Sequence, residues 1–541
     1  MPDRPGLRPR HVAPLPLAAL ATEASLSVDA AARDVPVTGV THDSRQVRPG
    51  DLYLALPGAV THGARFAADA VRSGAVAVVT DPDGARLAGE LPVPVLTADD
   101  PRAHMGAVAA AVYGHPDRDL MMLAVTGTNG KTTTSYLLES GLRAAGHTTG
   151  LIGTVETRVG DERVASIRTT PEATDVHALL AVMRERGVTA CAMEVSSHAM
   201  VFGRVDGIVF DVAGFTNLTQ DHLDFHTDLD DYFAAKARLF TPARTRRAAV
   251  VLADEYGRRL AAGAGVPTVT VLPAGADHPA TAGAELRADW RVEHLGHTTV
   301  LAGPDGEKLE LRVPLPGEFN VTNAALAVTM LVQAGVDAGD AARGVADCAG
   351  VPGRMERVVA PAPDKPGAPG TTPTDAPNAV VDFAHTPDAI QNVLRALHPA
   401  GRLIVVVGAG GDRDREKRPH MGQAAAAGAD VVVVTDDNPR SEDPAAIRAA
   451  VVRGAQAVPA AERAEVLEVA GRREAIRAAL RAATGAGDTV VVLGKGHEQG
   501  QEIAGVVQPF DDREVLREEL RRWSAEFGAG APGDSGQGEN R

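Results

Sequence analysis

Short runs rich in β-branched residues recur along the chain: AVAVVT (75–80), MMLAVTG (121–127), AAVVLAD (248–254), LIVVVGAGG (403–411), ADVVVVTDD (429–437) and TVVVLGKG (489–496). These runs are apolar on both faces. Such strands must be covered on both sides, so they predict interior parallel strands. Ala/Arg-rich stretches of helical length separate several of them, at 444–456 and 471–483 for example. Alternation of this kind predicts an α/β fold of the doubly wound type. Ligands of such sheets bind beyond the carboxyl ends of the strands, so the residues after each run are the first candidates for chemistry.

With 541 residues the chain is too long for one ordinary domain. HPDRDL before the 121–127 run marks one boundary and VPGRMERV marks another, which predicts domains at 1–117, 118–351 and 352–525. The first and third are expected to be Rossmann-like, and the second to be an α/β domain built on a phosphate loop. Residues 361–378 (PAPDKPGAPGTTPTDAPN) are dense in Pro, Gly and Thr and predict a flexible surface loop between two strands; 526–541 predict a disordered tail.

A formal charge of −16, from 54 basic and 70 acidic side chains, argues against nucleic acid or an anionic membrane as partner. Arg4, Arg8 and Arg10 precede an apolar run, VAPLPLAALA. That run is short, is broken by two prolines and is soon followed by Glu23, so no secretion signal is expected. No apolar run approaches the ~18 residues of a spanning helix. Cys191 and Cys348 lie among apolar or small residues and are expected as free buried thiols, which suits a reducing compartment.

AVTGTNGKTTT (124–134) carries the strongest chemical signal. A strand runs into glycines, then Lys131 and Thr132, then a helical stretch. Gly127 and Gly130 let backbone N–H groups approach phosphate oxygens, with Thr128 and Asn129 between them and Thr133 beyond. Lys131 would neutralise the outer phosphates of a nucleotide, and the Thr132 hydroxyl would reach Mg²⁺. Val125 stands where a standard loop has its first glycine, so this is a shorter variant. Such a loop alone serves a motor, a switch, a kinase or a ligase equally well. TGTNGKTT resembles the ATP loop of the Mur ligase family, part of the superfamily that includes folylpolyglutamate synthase. That resemblance implies activation of a carboxylate as an acyl phosphate and attack by an amine, with ATP and Mg²⁺ as cofactors.

The strand CAMEV (191–195) brings Glu194 to a strand end, where a carboxylate can hold Mg²⁺ beside Thr132. His222 and His226 in FTNLTQDHLDFH (215–226) have the spacing of a zinc pair, but no third Cys or His stands nearby. The resemblance makes His222 a second magnesium ligand. DDYFAAKARLF (230–240) predicts an amphipathic helix with Tyr232, Lys236 and Phe240 on one face. A lysine there either snorkels or is a desolvated amine, and a neutral amine can take up CO₂ as a carbamate, an anionic metal ligand. The resemblance implies the carbamate on Lys236.

THDSRQVRPGDLYLALPGAVTHG (41–63) is rich in turn formers and on its own would also serve as a structural hairpin. It resembles the family segment that holds the UDP part of a nucleotide-linked muramoyl-peptide, with Ser44 as a contact and 59–61 beside the uracil. RTTP (168–171) resembles the segment on the muramoyl-peptide, which implicates Thr169 and Thr170; Ser196 and Arg204 match further substrate positions. Phe202 departs from the pattern, standing where some relatives have a substrate-contacting glutamine. GEFNVTN (317–323), PGRME (352–356) and DFAHTPD (382–388) resemble family segments on the nucleotide, and that resemblance implies Asn320 near the adenine, with Arg354 and Asp382 also on the nucleotide side. His385 and Asp382 are expected to position groups rather than act as bases.

Three strand-end motifs follow: GAGGDRDREKRP (408–419), TDDNPRSEDP (435–444) and LGKGHE (493–498). Arg440 and Arg413 offer planar forks for a carboxylate, while Asp437, Asn438 and Glu498 can accept from an ammonium. Pro439 and Gly494 complete these motifs. DDNPR alone would also make a turn with a surface arginine. A site with both functions fits the distal end of meso-2,6-diaminopimelate. L-Lysine would leave Arg440 unpaired, at a cost on the order of several kcal/mol if buried. In the family the DNPR pattern likewise accompanies diaminopimelate addition.

The resemblance, which spans about 40 to 525, implies ATP-dependent addition of meso-diaminopimelate to UDP-N-acetylmuramoyl-L-alanyl-D-glutamate (UDP-MurNAc-L-Ala-D-Glu). It implies a cytoplasmic monomer of peptidoglycan synthesis, tied to cell shape, cell cycle and division, with no nucleic-acid partner and no membrane insertion. The reacting groups come from three domains, so closure of the third is expected. The rivals are another ligase of the superfamily, the same ligation with L-lysine, a phosphate-loop ATPase without ligation, and a catalytically dead nucleotide-sugar binder. DNPR and GKGHE argue against the first; intact Lys131, Glu194 and Lys236 argue against the last.

Overall fold

The structure is a computed structural model that describes residues 7–166, 168–276, 288–359, 376–397 and 399–527. The chain divides into two compact units. The first holds Met1–Leu218, His226–Pro314 and Val321–Cys348; the second holds Thr219–Phe225, Leu315–Asn320 and Ala349–Arg541.

The first unit carries two large sheets. In the smaller, strands Gly39–Thr41, Asp51–Leu54, Ala77–Thr80 and Val95–Thr97 run parallel in that order. The 41–63 segment is therefore no hairpin. A single 3-10 turn, Ser44–Gln46, returns the chain so that Gly39 pairs with Asp51 in parallel register. Leu52 and Leu54 pack into one cluster and Tyr53 into another, so the strand is buried on both faces, where a parallel sheet belongs.

The larger sheet has a parallel centre, in spatial order Thr149–Ile152, Ala190–Glu194, Met121–Thr126, Phe210–Phe215, Thr245–Val251 and Thr268–Leu272. Antiparallel strands widen both edges: Glu156–Val159 and Glu162–Ala165 on one side, Thr298–Ala302 and Lys308–Glu310 beyond Trp290–Leu295 on the other. Met121–Thr126 lies at the heart of this sheet, so the loops after it and after its two neighbours open at the same end. That shared end gathers Gly127–Gly130, Val195–Ser197 and Thr216–Asn217.

The second unit is a six-stranded sheet. Asn378–Asp382, Thr489–Leu493, Leu403–Ala409, Val431–Asp436 and Glu465–Glu468 are parallel, and Glu356–Arg357 is antiparallel at the edge. Alternate residues enter separate cores. Val405, Val407, Val432 and Val434 pack with Ile390, Met421 and Ile447, whereas Ile404, Val406, Val431 and Val433 pack with Ile476, Leu516 and Trp523. Helices cover both faces, which is why these strands carry no polar alternation.

All six strands expected from the apolar runs are present, and the expected helices form as Pro444–Gln456 and Arg472–Ala482. The last helix is Asp512–Phe527 and buries Trp523, so order extends through the expected start of the tail. Residues 528–541 and most of the expected 361–378 loop lie outside the described residues; strand Asn378–Asp382 begins at that loop's end. Cys191 and Cys348 are free and buried. Among the described residues no helix is long and apolar enough to cross a membrane.

Candidate active site

Strand Met121–Thr126 delivers the chain to Gly127, whose φ of 143° favours glycine. A Cβ at Gly127 would stand 1.9 Å from Thr216 Oγ1 and 3.0 Å from Asn217 O. Gly130 has φ 90°, and a Cβ there would lie 2.4 Å from Asn323 Oδ1. Helix Lys131–Ala144 starts at once, with Thr132 and Thr133 buried in its first turn. The loop is laced to the neighbouring strand end. Thr128 N donates to Asn217 O (2.9 Å), Asn129 N to Asn217 Oδ1 (3.0 Å) and Thr216 Oγ1 to Asn129 O (2.6 Å). Lys131 Nζ folds back onto Gly127 O (2.9 Å) and Thr128 O (2.8 Å). A helix N-terminus with a lysine at its mouth attracts phosphate.

Glu194, fully buried at its strand end, accepts from Thr132 Oγ1 (2.9 Å) and Thr154 Oγ1 (2.9 Å) at one oxygen and from Thr154 N (2.7 Å) at the other. Thr154 Oγ1 also lies 3.0 Å from the Thr169 hydroxyl, from which it can accept, and this ties Thr169 into the group. Carboxylate and hydroxyl oxygens at the start of a phosphate-binding helix form a donor set that fits Mg²⁺. Thr154 escaped the sequence reading, although it closely follows strand Thr149–Ile152 and so obeys the strand-end rule.

Helix Leu229–Ala237 is shorter than its sequence suggests, so Phe240 lies beyond it rather than on its face. Phe240 is still buried, edge-on to Phe215. Tyr232 and Lys236 do share the helix face. Lys236 is 1% exposed, its Nζ donates to Gly127 O (2.8 Å) and it sits 4.5 Å over the Tyr232 ring. The Tyr232 hydroxyl accepts from Thr128 Oγ1 (3.3 Å), so this face braces the phosphate loop. His226 engages both ring nitrogens, Nε2 with Ser197 Oγ (3.0 Å) and Nδ1 with Asp231 (3.3 Å). Among the described residues no three His, Cys, Asp or Glu side chains group to hold a metal ion.

His222 belongs to the second unit and has a left-handed φ of 56°. Beside it Asp221 is buried, 3.5 Å from Lys417 Nζ and 4.0 Å from His385 Nε2. Burial would raise this carboxyl, but His222, Lys417 and His385 outweigh it and hold Asp221 well below the usual range. Burial and then Lys417 push His385 down. Asp382 accepts from Met355 N and Ala384 N, both at 2.7 Å; burial raises it against the pull of Arg354, which stacks 4.4 Å over Phe383. These contacts suit positioning roles for Asp382 and His385. Asn320 is buried in the first turns of helix Glu318–Gln333, with Nδ2 donating to Pro316 O (2.7 Å).

Thr170 Oγ1 donates to Glu194 O (2.9 Å) and accepts from Ser196 N (3.2 Å), while Ser196 Oγ caps helix Ser197–Val201. Arg204 sits 2.9 Å from Glu172, which also takes Arg102 (3.0 Å) and Arg168 (2.6 Å). Burial would raise Glu172, yet Arg204 and Arg102 hold it below its ordinary value. Phe202 offers an aromatic platform to two guanidiniums, its ring centre 5.6 Å from that of Arg102 and 5.5 Å from that of Arg204. Arg102 was invisible in the sequence, because helix Pro101–Val112 reaches this group only through the fold. Ser44 lies in the 3-10 turn ahead of Tyr53, whose hydroxyl donates to Gly63 O (2.9 Å) and whose burial pushes its pKa up to about 12. In the 59–61 stretch Val60 is 99% exposed.

In the second unit the three strand-end motifs do converge. Arg440, at φ 52°, donates through Nη1 to Gly411 O (2.6 Å) and lies 3.5 Å from Glu502. Gly411 packs against Pro439 O, and a Cβ at Gly410 would stand 3.1 Å from Arg440 Nη1 and 4.0 Å from Arg413 Cγ. Arg413 is exposed, with Nη1 on Asp412 O. Asp437, Asn438 and Glu498 surround a side chain that the sequence reading passed over, Lys495. Its Nζ donates to Asn438 Oδ1 (2.9 Å) and Glu498 (3.1 Å) and lies 3.9 Å from Asp437. Gly494, at φ 113°, makes that turn possible; a Cβ there would stand 2.4 Å from Asp437 Oδ2. LGKGHE held the clue, a lysine one residue past the glycine at a strand end.

A glycine-rich loop closed by a lysine at a helix N-terminus, with a buried carboxylate beside it, suits an enzyme that handles a nucleotide. Family models match in chain order: "Mur ligase family, catalytic domain" at 36–113, "Mur ligase middle domain" at 125–331 and "Mur ligase, glutamate ligase domain" at 371–496. The chain belongs to the Mur ligase family. It is 55% identical, over 95% of its length and 98% of the other's, to UDP-N-acetylmuramoyl-L-alanyl-D-glutamate–2,6-diaminopimelate ligase of Streptomyces avermitilis. Identity to the enzyme of the same name in Streptomyces coelicolor is 54%, with the same coverage. A solved structure of a ligase of this name superposes with TM-score 0.62 at 31% identity, covering 94% of this chain and 99% of that one.

Proposed function

We propose that this ligase joins meso-2,6-diaminopimelate to UDP-MurNAc-L-Ala-D-Glu, giving the tripeptide precursor of peptidoglycan with ADP and phosphate. The observation that carries the reading is the strand-end cluster of the second unit, where Arg440, a fork for a carboxylate, lies in the same turn as Asp437, which with Glu498 can accept from an ammonium. The names of relatives matched nearly end to end support the same reaction.

ATP lies along Gly127–Thr133, with its phosphates at the helix N-terminus. Lys131 leaves the loop carbonyls to neutralise the outer phosphates. Asn320, Arg354 and Asp382 serve the rest of the nucleotide. Thr132 and Glu194 would hold one Mg²⁺, and we assign His222 and a carbamylated Lys236 each as a further magnesium ligand, supplying charge neutralisation during phosphoryl transfer. The burial of Lys236 against the loop supports the carbamate reading. Ser44 and residues 59–61 take the uridine end of the acceptor, while Thr169, Thr170, Ser196 and Arg204 take its dipeptide. The γ-phosphoryl group passes to the D-Glu γ-carboxylate, giving an acyl phosphate and ADP. A diaminopimelate amine attacks the acyl carbon, the C–O bond to phosphate breaks, and the nitrogen gives up a proton. Arg413, Asp437, Asn438, Pro439, Arg440, Gly494 and Glu498 orient that amino acid.

We assign three functional domains, at 1–117, 118–351 and 352–525, a division supported by the four-, eleven- and six-stranded sheets and by the family matches at 36–113, 125–331 and 371–496. We assign the enzyme to the cytoplasm as a monomer, with its product bearing on cell shape, cell cycle and division. Mass spectrometry of the nucleotide product tests the reading. Wild-type enzyme should convert UDP-MurNAc-L-Ala-D-Glu to the diaminopimelate adduct in the presence of ATP and Mg²⁺; unchanged substrate with ATP consumed would overturn it.

A further inference from the structure

The ammonium enclosed by the strand-end pocket is the protein's own. Lys495 has 0% side-chain exposure, and its Nζ is held by Asn438 Oδ1, Glu498 and, at 3.9 Å, Asp437. Asn438 is locked as a result. Its Oδ1 accepts from Lys495 Nζ and Glu502 N (3.0 Å), and its Nδ2 donates to Glu498 (2.9 Å). Asn438 Oδ1 therefore already holds two donors, which leaves the carboxylates of Glu498 and Asp437 to meet an incoming ammonium. The turn is anchored by Arg472, which is fully buried, pairs with Asp512 and donates from Nη2 to Leu493 O (2.8 Å). Two carboxylates and one internal ammonium leave a single negative charge, beside Arg440 and its neighbour Glu502.

We propose that Lys495 is a specificity-determining positioning residue: a built-in ammonium that locks Asn438 and Glu498 and offsets one pocket carboxylate, so that an amine bearing a distal carboxylate is accepted. The inference rests on the diaminopimelate reading above. Without Lys495 the pocket gains a net negative charge that repels the substrate's carboxylate while still attracting its ammonium. Loss of Lys495 thus penalises diaminopimelate more than L-lysine, a difference that a merely structural role does not produce.

The test is steady-state kinetics of Lys495→Met and Lys495→Arg with meso-diaminopimelate and L-lysine, alongside wild type. Wild-type turnover that depends on diaminopimelate checks the underlying reading separately. For Lys495→Met the KM for diaminopimelate should rise about tenfold or more, KM for ATP and for the UDP substrate should hold, and the preference for diaminopimelate over L-lysine should shrink. Lys495→Arg keeps the charge and serves if the Met variant does not fold; its larger planar head should displace Asn438 and raise the same KM while keeping most of the preference. An unchanged KM in the folded variants, or all three KM values rising in step with preference intact, overturns the proposal.

Discussion

Replacing Gly127 with alanine should cripple nucleotide binding without unfolding the protein. A non-glycine residue at positive φ costs about 1–3 kcal/mol when the surroundings enforce it. The new Cβ would also meet Thr216 Oγ1 at 1.9 Å, and that oxygen must rotate away from Asn129 O, its acceptor at 2.6 Å. Losing that hydrogen bond adds about 1 kcal/mol. The sum of about 2–4 kcal/mol falls on the loop's binding-competent conformation, which corresponds to a loss of ATP affinity on the order of 30- to 1,000-fold. Calorimetric titration with a non-hydrolysable ATP analogue reads this directly, and circular dichroism melting checks the fold. Thr216→Ala alone should lose about 1 kcal/mol. The double variant should be no worse than Gly127→Ala, because both remove the same bond. Wild-type affinity in Gly127→Ala, or strictly additive losses, would refute this account of the loop.

Arg440→Met should lower kcat/KM for diaminopimelate by a factor worth about 2–3 kcal/mol, that of a charge-assisted hydrogen bond, while turnover of L-lysine holds or rises because no guanidinium is left unpaired; competition assays measure both. Thr154→Val removes the side-chain hydrogen bond that helps aim Glu194, leaving the backbone one in place, and should raise the half-saturating Mg²⁺ concentration on the order of tenfold, read from magnesium titrations of phosphate release. Glu442 is held down at about 2, against an ordinary 4.5, by hydrogen bonds from Arg418. A carboxyl lowered by folding contributes stability above its unfolded pKa and loses it as pH falls from about 4.5 toward about 2. Glu442→Gln should therefore lower Tm at neutral pH and flatten its decline in acid, as melting curves across pH will show.

Much of this was legible from the chain. The continuous valine runs announced a sheet buried on both faces. The polar alternation of a half-exposed strand is absent from them because helices cover both sides, with Val405 and Val406 entering different cores. Gly127, Gly130, Lys131, Glu194 and Arg440 were readable because each lies just past a strand or at its end, where a short motif fixes its surroundings. Three features were not. Ser44's segment left a hairpin open as an alternative, since its turn formers serve a hairpin and a tight parallel return equally well. Arg102 comes to Arg204 and Phe202 from a helix far upstream in the chain, a pairing that no local pattern encodes. Lys495 was passed over because charge at a strand end suggests contact with substrate, whereas its burial among Asn438 and Glu498 makes it part of the pocket wall.

The central claim is a reaction, and phosphate release tests it most directly. The enzyme should be given ATP, Mg²⁺ and UDP-MurNAc-L-Ala-D-Glu with meso-diaminopimelate, with L-lysine, or with no amino acid. Release that depends on diaminopimelate is the predicted result. Dependence on L-lysine would keep the ligase and contradict the role given to Arg440, and release indifferent to the amine would contradict ligation itself.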